Sequence, residues 1–269
     1  MNFLVIFILL LISIPIANAQ SEDKLILQEK VVFGYTIASI GDLNKDGIND
    51  IAVGSPYDDE EGYNAGAVYI LFLNSDGTVK SHQKISSTQG NFHGDIEPHD
   101  AFGRSISNIG DFNGDGIDDI VVGAYHDDDG GYNTGAVYIL FLNSDGTVKS
   151  HQKISEKFGH FNLELNDSLQ PNDAFGFSVS QIGDLNGDGI NDIAVGSPYS
   201  DSQNKVLPDS GSIHILFLNS DGMVKSNTTF PNFESNTSEF NFIAILILIC
   251  AVAVGIFLLI KRRDRLTAK

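Results

Sequence analysis

Three stretches of this chain are almost the same stretch. GAVYILFLNSDGTVKSHQKIS runs from Gly66 to Ser86 and recurs unchanged from Gly135 to Ser155, and GSIHILFLNSDGMVKS runs from Gly211 to Ser226. A second shared block stands upstream of each: FGYTIASIGDLNKDGINDIAVGSPY from Phe33, FGRSISNIGDFNGDGIDDIVVGAY from Phe102 and FGFSVSQIGDLNGDGINDIAVGSPY from Phe175. The starts lie 69 and 73 residues apart. Such a chain folds as like units that stack, because one unit of this size cannot bury its own apolar face.

Each unit reads as strands. In the first, Tyr35 to Ile40 alternates polar and apolar, Asp50 to Gly54 is short and apolar, Ala67 to Leu73 is rich in β-branched and aromatic residues, and Thr78 to Ile85 alternates again. Asn74-Ser75-Asp76-Gly77 between the last two is a tight hairpin signal, repeated at Asn143 to Gly146 and Asn219 to Gly222. The expected unit is a four-stranded antiparallel meander, and radial repetition of such units suggests the blades of a propeller. The third copy stops at Ser226 without the SHQKIS segment, so the segment KLILQEK (Lys24 to Lys30) is expected to supply a missing outer strand.

Between the first two strands lies a loop of pattern D-x-N-x-D-G-x-x-D. Its oxygen-bearing residues are Asp42, Asn44, Asp46 and Asp50; then Asp111, Asn113, Asp115 and Asp119; then Asp184, Asn186, Asp188 and Asp192. Alternate oxygen side chains let a short loop wrap a hard cation, and the glycine at position 6 allows the turn. With the main-chain carbonyls of Ile48, Ile117 and Ile190 at position 7 and a water, each loop meets the oxygen count of calcium, about three ions in all. The pattern is not an EF-hand, which needs a bidentate Glu at position 12. That position is Val53, Val122 or Val195, and the flanks are strands.

Phe33-Gly34, Phe102-Gly103 and Phe175-Gly176 each precede a loop by eight residues from Gly to Asp, and Val53-Gly54-Ser55-Pro56 and Gly66-Ala67 follow the first loop. This layout resembles the FG-GAP repeat, the blade of the integrin α-chain propeller, over about residues 33 to 226. The resemblance implies calcium-stabilised blades and extracellular recognition. The fold class expected is all-β: three four-stranded antiparallel blades, a partial β-propeller or one completed by homo-oligomerisation, plus one transmembrane helix.

That helix is expected from the chain ends. Residues 1–19 read as a signal peptide ending in Ala17-Asn18-Ala19. Phe242 to Ile260 is an uncharged apolar run, followed by Lys261, Arg262, Arg263 and Arg265. A span with a basic flank predicts a single-pass membrane protein, repeats outside and C-terminus cytoplasmic. The units expected are 20–32 as an N-terminal strand or linker, repeats at 33–101, 102–174 and 175–226, a polar stalk at 227–241, the span at 242–260 and a basic tail at 261–269. Formal net charge is −19; with the tail's five basic residues and one Asp set aside, the remainder carries −23, which disfavours nucleic acid and favours cations. The one cysteine, Cys250, lies in the apolar run, so the repeats contain no disulfide.

In a meander, the loops between the second and third strands lie at the end opposite the acidic loops. They vary among copies, and variable loops on a fixed scaffold carry binding. Tyr57, Asp58, Asp59, Tyr125, Asp127, Asp128, Tyr199 and Asp201 are the candidates for meeting an extracellular protein or glycan, together with the insertions Ser86 to Asp100 and Glu156 to Asp173. Asn166, Asn227 and Asn236 head glycosylation triplets. No nucleophile elbow, hydrolase His cluster or phosphate-cradling loop stands in the sequence, which excludes the usual enzyme classes. The function expected is adhesion or protein and glycan interaction at the cell surface. The alternatives are an architectural envelope component and, less favoured, a hydrolase-associated surface protein.

Overall fold

The computed structural model describes residues 32–161, 168–201 and 209–230. Twelve strands form three sheets: β1 (Thr36–Ser39), β2 (Ile51–Ser55), β3 (Ala67–Leu73) and β4 (Val79–Ile85); β5 (Ser105–Gly110), β6 (Asp119–Ala124), β7 (Ala136–Leu142) and β8 (Val148–Ser155); β9 (Ser178–Gly183), β10 (Asp192–Ser197), β11 (Ser212–Leu218) and β12 (Val224–Phe230). Each sheet is an antiparallel meander in chain order. The first strands β1, β5 and β9 lie side by side at one edge, and the fourth strands lie at the other.

The third strands explain the stacking. AVYILFL in β7 is buried along its whole length, so both faces are covered, and a strand covered on both faces reads as a continuous apolar run. One core fills the space between the first two sheets, with Val68, Ile70 and Ile85 against Phe102, Ile106 and Tyr138. A second core joins the next pair, with Val137, Ile139 and Ile154 against Phe175, Ile193 and Leu216.

The hairpins close as their residues demand. Asn74 N–H donates to the Thr78 carbonyl at 2.8 Å, Thr78 N–H donates to Asp76 Oδ1 at 3.0 Å, and Gly77 takes φ 82°, where an L side chain would be strained. The insertions between units are straps. Residues 86–100 cross to the second sheet, where the Gly90 carbonyl accepts the Val148 N–H at 2.8 Å and Phe92 stacks on Phe102 with ring centroids 5.3 Å apart. The next strap repeats this, with the Gly159 carbonyl accepting the Val224 N–H at 3.0 Å and Phe161 against Phe175.

Neighbouring sheets meet where Phe-Gly of one unit enters a pair of glycines in the unit before. Gly66 pairs with Phe102 in a parallel bridge, and Gly135 with Phe175. A Cβ on Gly54 would overlap the Gly103 carbonyl oxygen, and one on Gly123 would overlap that of Gly176. Ser105 Oγ donates to the Gly176 carbonyl at 2.8 Å.

Two expectations are corrected. The third unit does not lack its fourth strand: VKSNTTF forms β12, Ile213 opposing Phe230, so Asn227 lies in a strand opposite Leu216 and not in a stalk. The chain ends lead to the expectation of a leader, a transmembrane helix and single-pass membrane placement beside the repeats. Among the described residues every element is a strand, and there is no helix long and apolar enough to cross a membrane, so these parts of the fold class, family assignment and localisation are withdrawn. The runs that suggested them, 1–19 and 242–260, lie outside the described residues, as do Lys24 to Lys30.

The glycine joint makes a stability prediction. Gly123→Ala is expected to lower unfolding free energy by about 1–3 kcal/mol through overpacking against the next unit's backbone. Gly196→Ala, whose Cβ would meet only Ser178 within the same chain, is expected to cost less in chains diluted to monomer. Urea denaturation of the two variants checks the difference.

Candidate metal loops and the opposite face

The three acidic loops share one hydrogen-bond scheme. In the first, Asp46 N–H is shared between Asp42 Oδ1 at 2.9 Å and Asn44 Oδ1 at 3.0 Å, Gly47 N–H donates to Asp42 Oδ2 at 2.8 Å, and Ile48 N–H donates to Asp46 Oδ1 at 3.0 Å. Asp111, Asn113 and Asp115 repeat it, as do Asp184, Asn186 and Asp188. Positions 1, 3 and 5 therefore converge at the exposed tip of each loop, with the residue carrying the position 7 carbonyl (Ile48, Ile117 or Ile190) directly after.

Position 9 is buried. Asp50, Asp119 and Asp192 are 0% exposed. Asp119 accepts the Phe112 N–H at 3.1 Å on one oxygen and the Leu142 N–H at 2.9 Å on the other, so it ties the loop to the end of the third strand. Asp50 does the same with Leu43 and Leu73, and Asp192 with Leu185 and Leu218. Burial pushes the Asp50 carboxyl up and that of Asp119 to about 6.

Each position 5 carboxylate also meets a lysine from its own fourth strand: Lys80 to Asp46 at 2.8 Å, Lys149 to Asp115 at 2.8 Å and Lys225 to Asp188 at 3.0 Å. The lysine hydrogen bond holds all three carboxyls below the usual range. Among the described residues no group of three or more His, Cys, Asp or Glu side chains is gathered closely enough to hold a metal ion. The donor chemistry nevertheless suits a hard cation. Two carboxylates and an amide oxygen converge, and a carboxylate accepts about four hydrogen bonds or ligands, of which Asp50 gives up to three to the backbone of Leu43, Leu73 and Asn44.

At the opposite end, the loops joining second and third strands sort the partner-binding candidates. Asp58 and Asp127 are internal: Lys84 reaches Asp58 at 3.0 Å with Tyr69 Oη donating at 2.8 Å, and Lys153 reaches Asp127 at 2.6 Å. The third unit replaces this Tyr-Asp-Lys set by His214, whose ring meets Ser197 Oγ and Thr229 Oγ1. Asp59, Asp128 and Asp201 each accept an N–H across their own loop, from Asn64, Asn133 and Asp209. Asp58 and Asp127 are thus occupied inside the fold, whereas Asp59, Asp128 and Asp201 are exposed and keep further acceptor capacity.

The tyrosines belong to a different assembly. Arg104 lies 3.7 Å from the Phe177 ring, 4.6 Å from Tyr35 and 5.7 Å from Tyr125, while Tyr57 packs on Tyr35 and Tyr199 on Phe177. This makes a stripe of cation–π and edge-to-face contacts across all three units. Sequence reasoning missed Tyr35, Arg104 and Phe177. Their signal was present: the residue after each Phe-Gly differs in all three copies of an otherwise similar block, as does the residue at 39, 108 and 181. Of the glycosylation candidates, Asn227 is in β12, and Asn166 and Asn236 lie outside the described residues.

The FG-GAP repeat model matches residues 33–71, 102–140 and 175–216. Each sheet carries an FG-GAP match. The matches span the first strand, the acidic loop, the second strand and most of the third, and leave out the fourth. Among curated proteins, the chain is 44% identical to mouse integrin alpha-2 over 94 residues, covering 34% of this chain and 7% of that one. It is 35% identical to integrin alpha-3 of Cricetulus griseus over 167 residues (61% and 14%), and 33% identical to human integrin alpha-6 over 173 residues (63% and 13%). The chain thus spans about a seventh or less of the length of these relatives.

A cleft of about 170 Å³ between the first strap and the second sheet contains Asp100, Asp127, Asp129 and Lys153. Burial pushes the Asp100 carboxyl up to about 7, with the charge of Asp127 adding and that of Lys153 opposing. An unfolded Asp titrates near about 3.9, so the stability tied to this group is full below that pH and is lost as pH rises toward 7. Asp100→Asn, whose amide oxygen can still accept the Glu97 N–H, is expected to flatten this part of the pH dependence. Urea midpoints measured between about pH 4 and 8 check it.

Proposed function

We propose that the three units form a cation-stapled recognition module of the adhesion type, without catalytic chemistry. The observation that supports this most directly is the division of labour between the two ends. One end repeats the same oxygen-rich loop three times. The other end varies and gathers Tyr35, Arg104 and Phe177 with the loop tyrosines into one stripe.

At the first end, calcium would be held by Asp42, Asn44 and Asp46 with the Ile48 carbonyl, and by the matching residues of the other two loops. Asp50, Asp119 and Asp192 would bring the buried fold up to the ion through their remaining lone pairs. The ion would supply charge compensation for an acidic chain. The lysines on position 5 already compensate part of that charge, so they compete with the metal for the same carboxylate.

Calcium that binds only the folded chain raises its melting temperature by mass action. Millimolar calcium is expected to raise Tm, and Asp46→Ala combined with Asp115→Ala and Asp188→Ala to abolish the gain. Lys80→Met, Lys149→Met and Lys225→Met together are expected to tighten calcium binding severalfold in calorimetric titration. No shift of Tm with calcium would sink the cation reading.

At the second end, a protein or glycan partner is the ligand class that a stripe of aromatic rings around a guanidinium suits. Aromatic residues and arginine carry most of the energy at recognition surfaces. The integrin α-chains that the repeats resemble support this class of function over a purely architectural one. Arg104→Ala is expected to weaken capture of such a partner by at least tenfold, about 1.4 kcal/mol, while leaving the calcium response unchanged. Glycan-array and immobilised-protein binding of the wild-type and variant chains checks it. Equal binding by the two would remove the stripe from the partner site.

A further inference from the structure

The joint between neighbouring sheets is made twice, and the chain carries the parts for a third. At the two made joints, Phe102 and Phe175 are 0% exposed. Their N–H groups donate to the Ala65 and Thr134 carbonyls, both at 3.0 Å. The pairs Val68 with Ile85 and Val137 with Ile154, opposed across third and fourth strands, are fully buried beneath them.

The third sheet presents the same receiving slot, with no incoming unit among the described residues. Gly196 and Gly211 stand where Gly123 and Gly135 stand in the second sheet, yet a Cβ on either would meet only its own sheet. Ile213 and Phe230, the pair matching Val137 and Ile154, are 51% and 50% exposed. With Phe177, Ser178 and Ser197 they line a largely apolar cleft of about 370 Å³. Asp209 holds φ 51°, as Asn64 and Asn133 hold 53° and 51°, so the slot's backbone is already in the receiving shape.

The first sheet presents the matching insert. Gly34 has φ 85°, against 88° and 87° at Gly103 and Gly176, but nothing among the described residues lies within 4 Å of its Cβ position. Phe33 packs edge-on to Tyr69 at 5.3 Å, as Phe102 packs on Tyr138 at 5.5 Å. Ile37 is 63% exposed, whereas its counterpart Ile106 is 7% exposed in the first core.

We infer that this chain closes head to tail with a second copy of itself, Phe33-Gly34 of each copy seated between Gly196 and Gly211 of the other. A head-to-tail contact either closes into a ring or grows into a filament. Propellers hold about four to eight blades; two copies of the three described sheets give six, and three copies would overshoot. The contact is confined to the Phe-Gly edge and Ile37, because Val53, Tyr69 and Leu71 deeper in the first sheet are buried already. Upstream pairing is shortened too. Ala101 and Ala174 reach their partners with φ 56° and 57°, a region closed to the β-branched Val32 at their position. The inference does not depend on the calcium or partner readings.

Site-specific cross-linking of full-length chains tests it, in a Cys250→Ser background and with a short bismaleimide linker. Mixing a Val32→Cys chain with a Ser210→Cys chain is expected to give a cross-linked pair. The double variant is expected to give a covalent dimer and nothing larger. Absence of the pair, a link within one chain, or a ladder beyond dimer would each overturn the closed two-chain ring. Ile213→Asp places a charge in the slot at an exposed position. It is expected to weaken dimerisation by more than about tenfold in sedimentation equilibrium, with the circular dichroism spectrum unchanged. An Ile213→Asp chain that dimerises like the wild type would also overturn the inference.

Discussion

The structure depends on the entry of a Phe-Gly backbone into a pair of glycines on the preceding unit. Every other inter-sheet contact needs the spacing this sets. Close packing in a protein interior tolerates few voids, and here the close approach is of backbone to backbone. Gly54 and Gly66, then Gly123 and Gly135, keep the space open, and a carbonyl oxygen of the next unit occupies it. Once the backbones are this close, the phenylalanine reaches the valine and isoleucine beneath it, and the strap aromatic closes over the top. The continuous apolar character of the third strand follows, since a strand between two such joints has no solvent face.

The acidic loops serve the same architecture from the other end. Their pattern suggests a four-oxygen cage, and the fourth acid has a structural task besides. Asp50, Asp119 and Asp192 bond two backbone N–H groups each, one in the loop and one at the end of the third strand. A buried carboxylate pays its desolvation only when its oxygens are bonded, and here the bonds are to the fold itself. The acids at positions 1 and 5 are left to face solvent and, at position 5, the lysine of the fourth strand.

Much of this was legible without coordinates. Three repeats, four strands in each of the first two, the NSDG hairpins and the placement of loops at opposite ends all follow from local pattern. The third unit's last strand was not, because VKSNTTF shares only its first three residues with the other copies. It pairs through backbone groups that any sequence offers, with Phe230 standing where Ile85 and Ile154 stand. The burial of two partner-face candidates was not legible either. Asp58 and Asp127 sit in loops rich in acids, and nothing in their spacing shows that Lys84 and Lys153, two strands away, turn inward to neutralise them.

The sequence by itself determined the repeat, the blade and the chemistry of the acidic loops, because each is written in residues close together in the chain. Tertiary structure alone decided which acids are buried caps, which loops are straps, and that Tyr35, Arg104 and Phe177 meet. These are contacts between residues about 70 apart in sequence, brought together only when like sheets stack. It also decided that one glycine slot and one Phe-Gly insert are left over, because a stack of three described units has two joints and two ends.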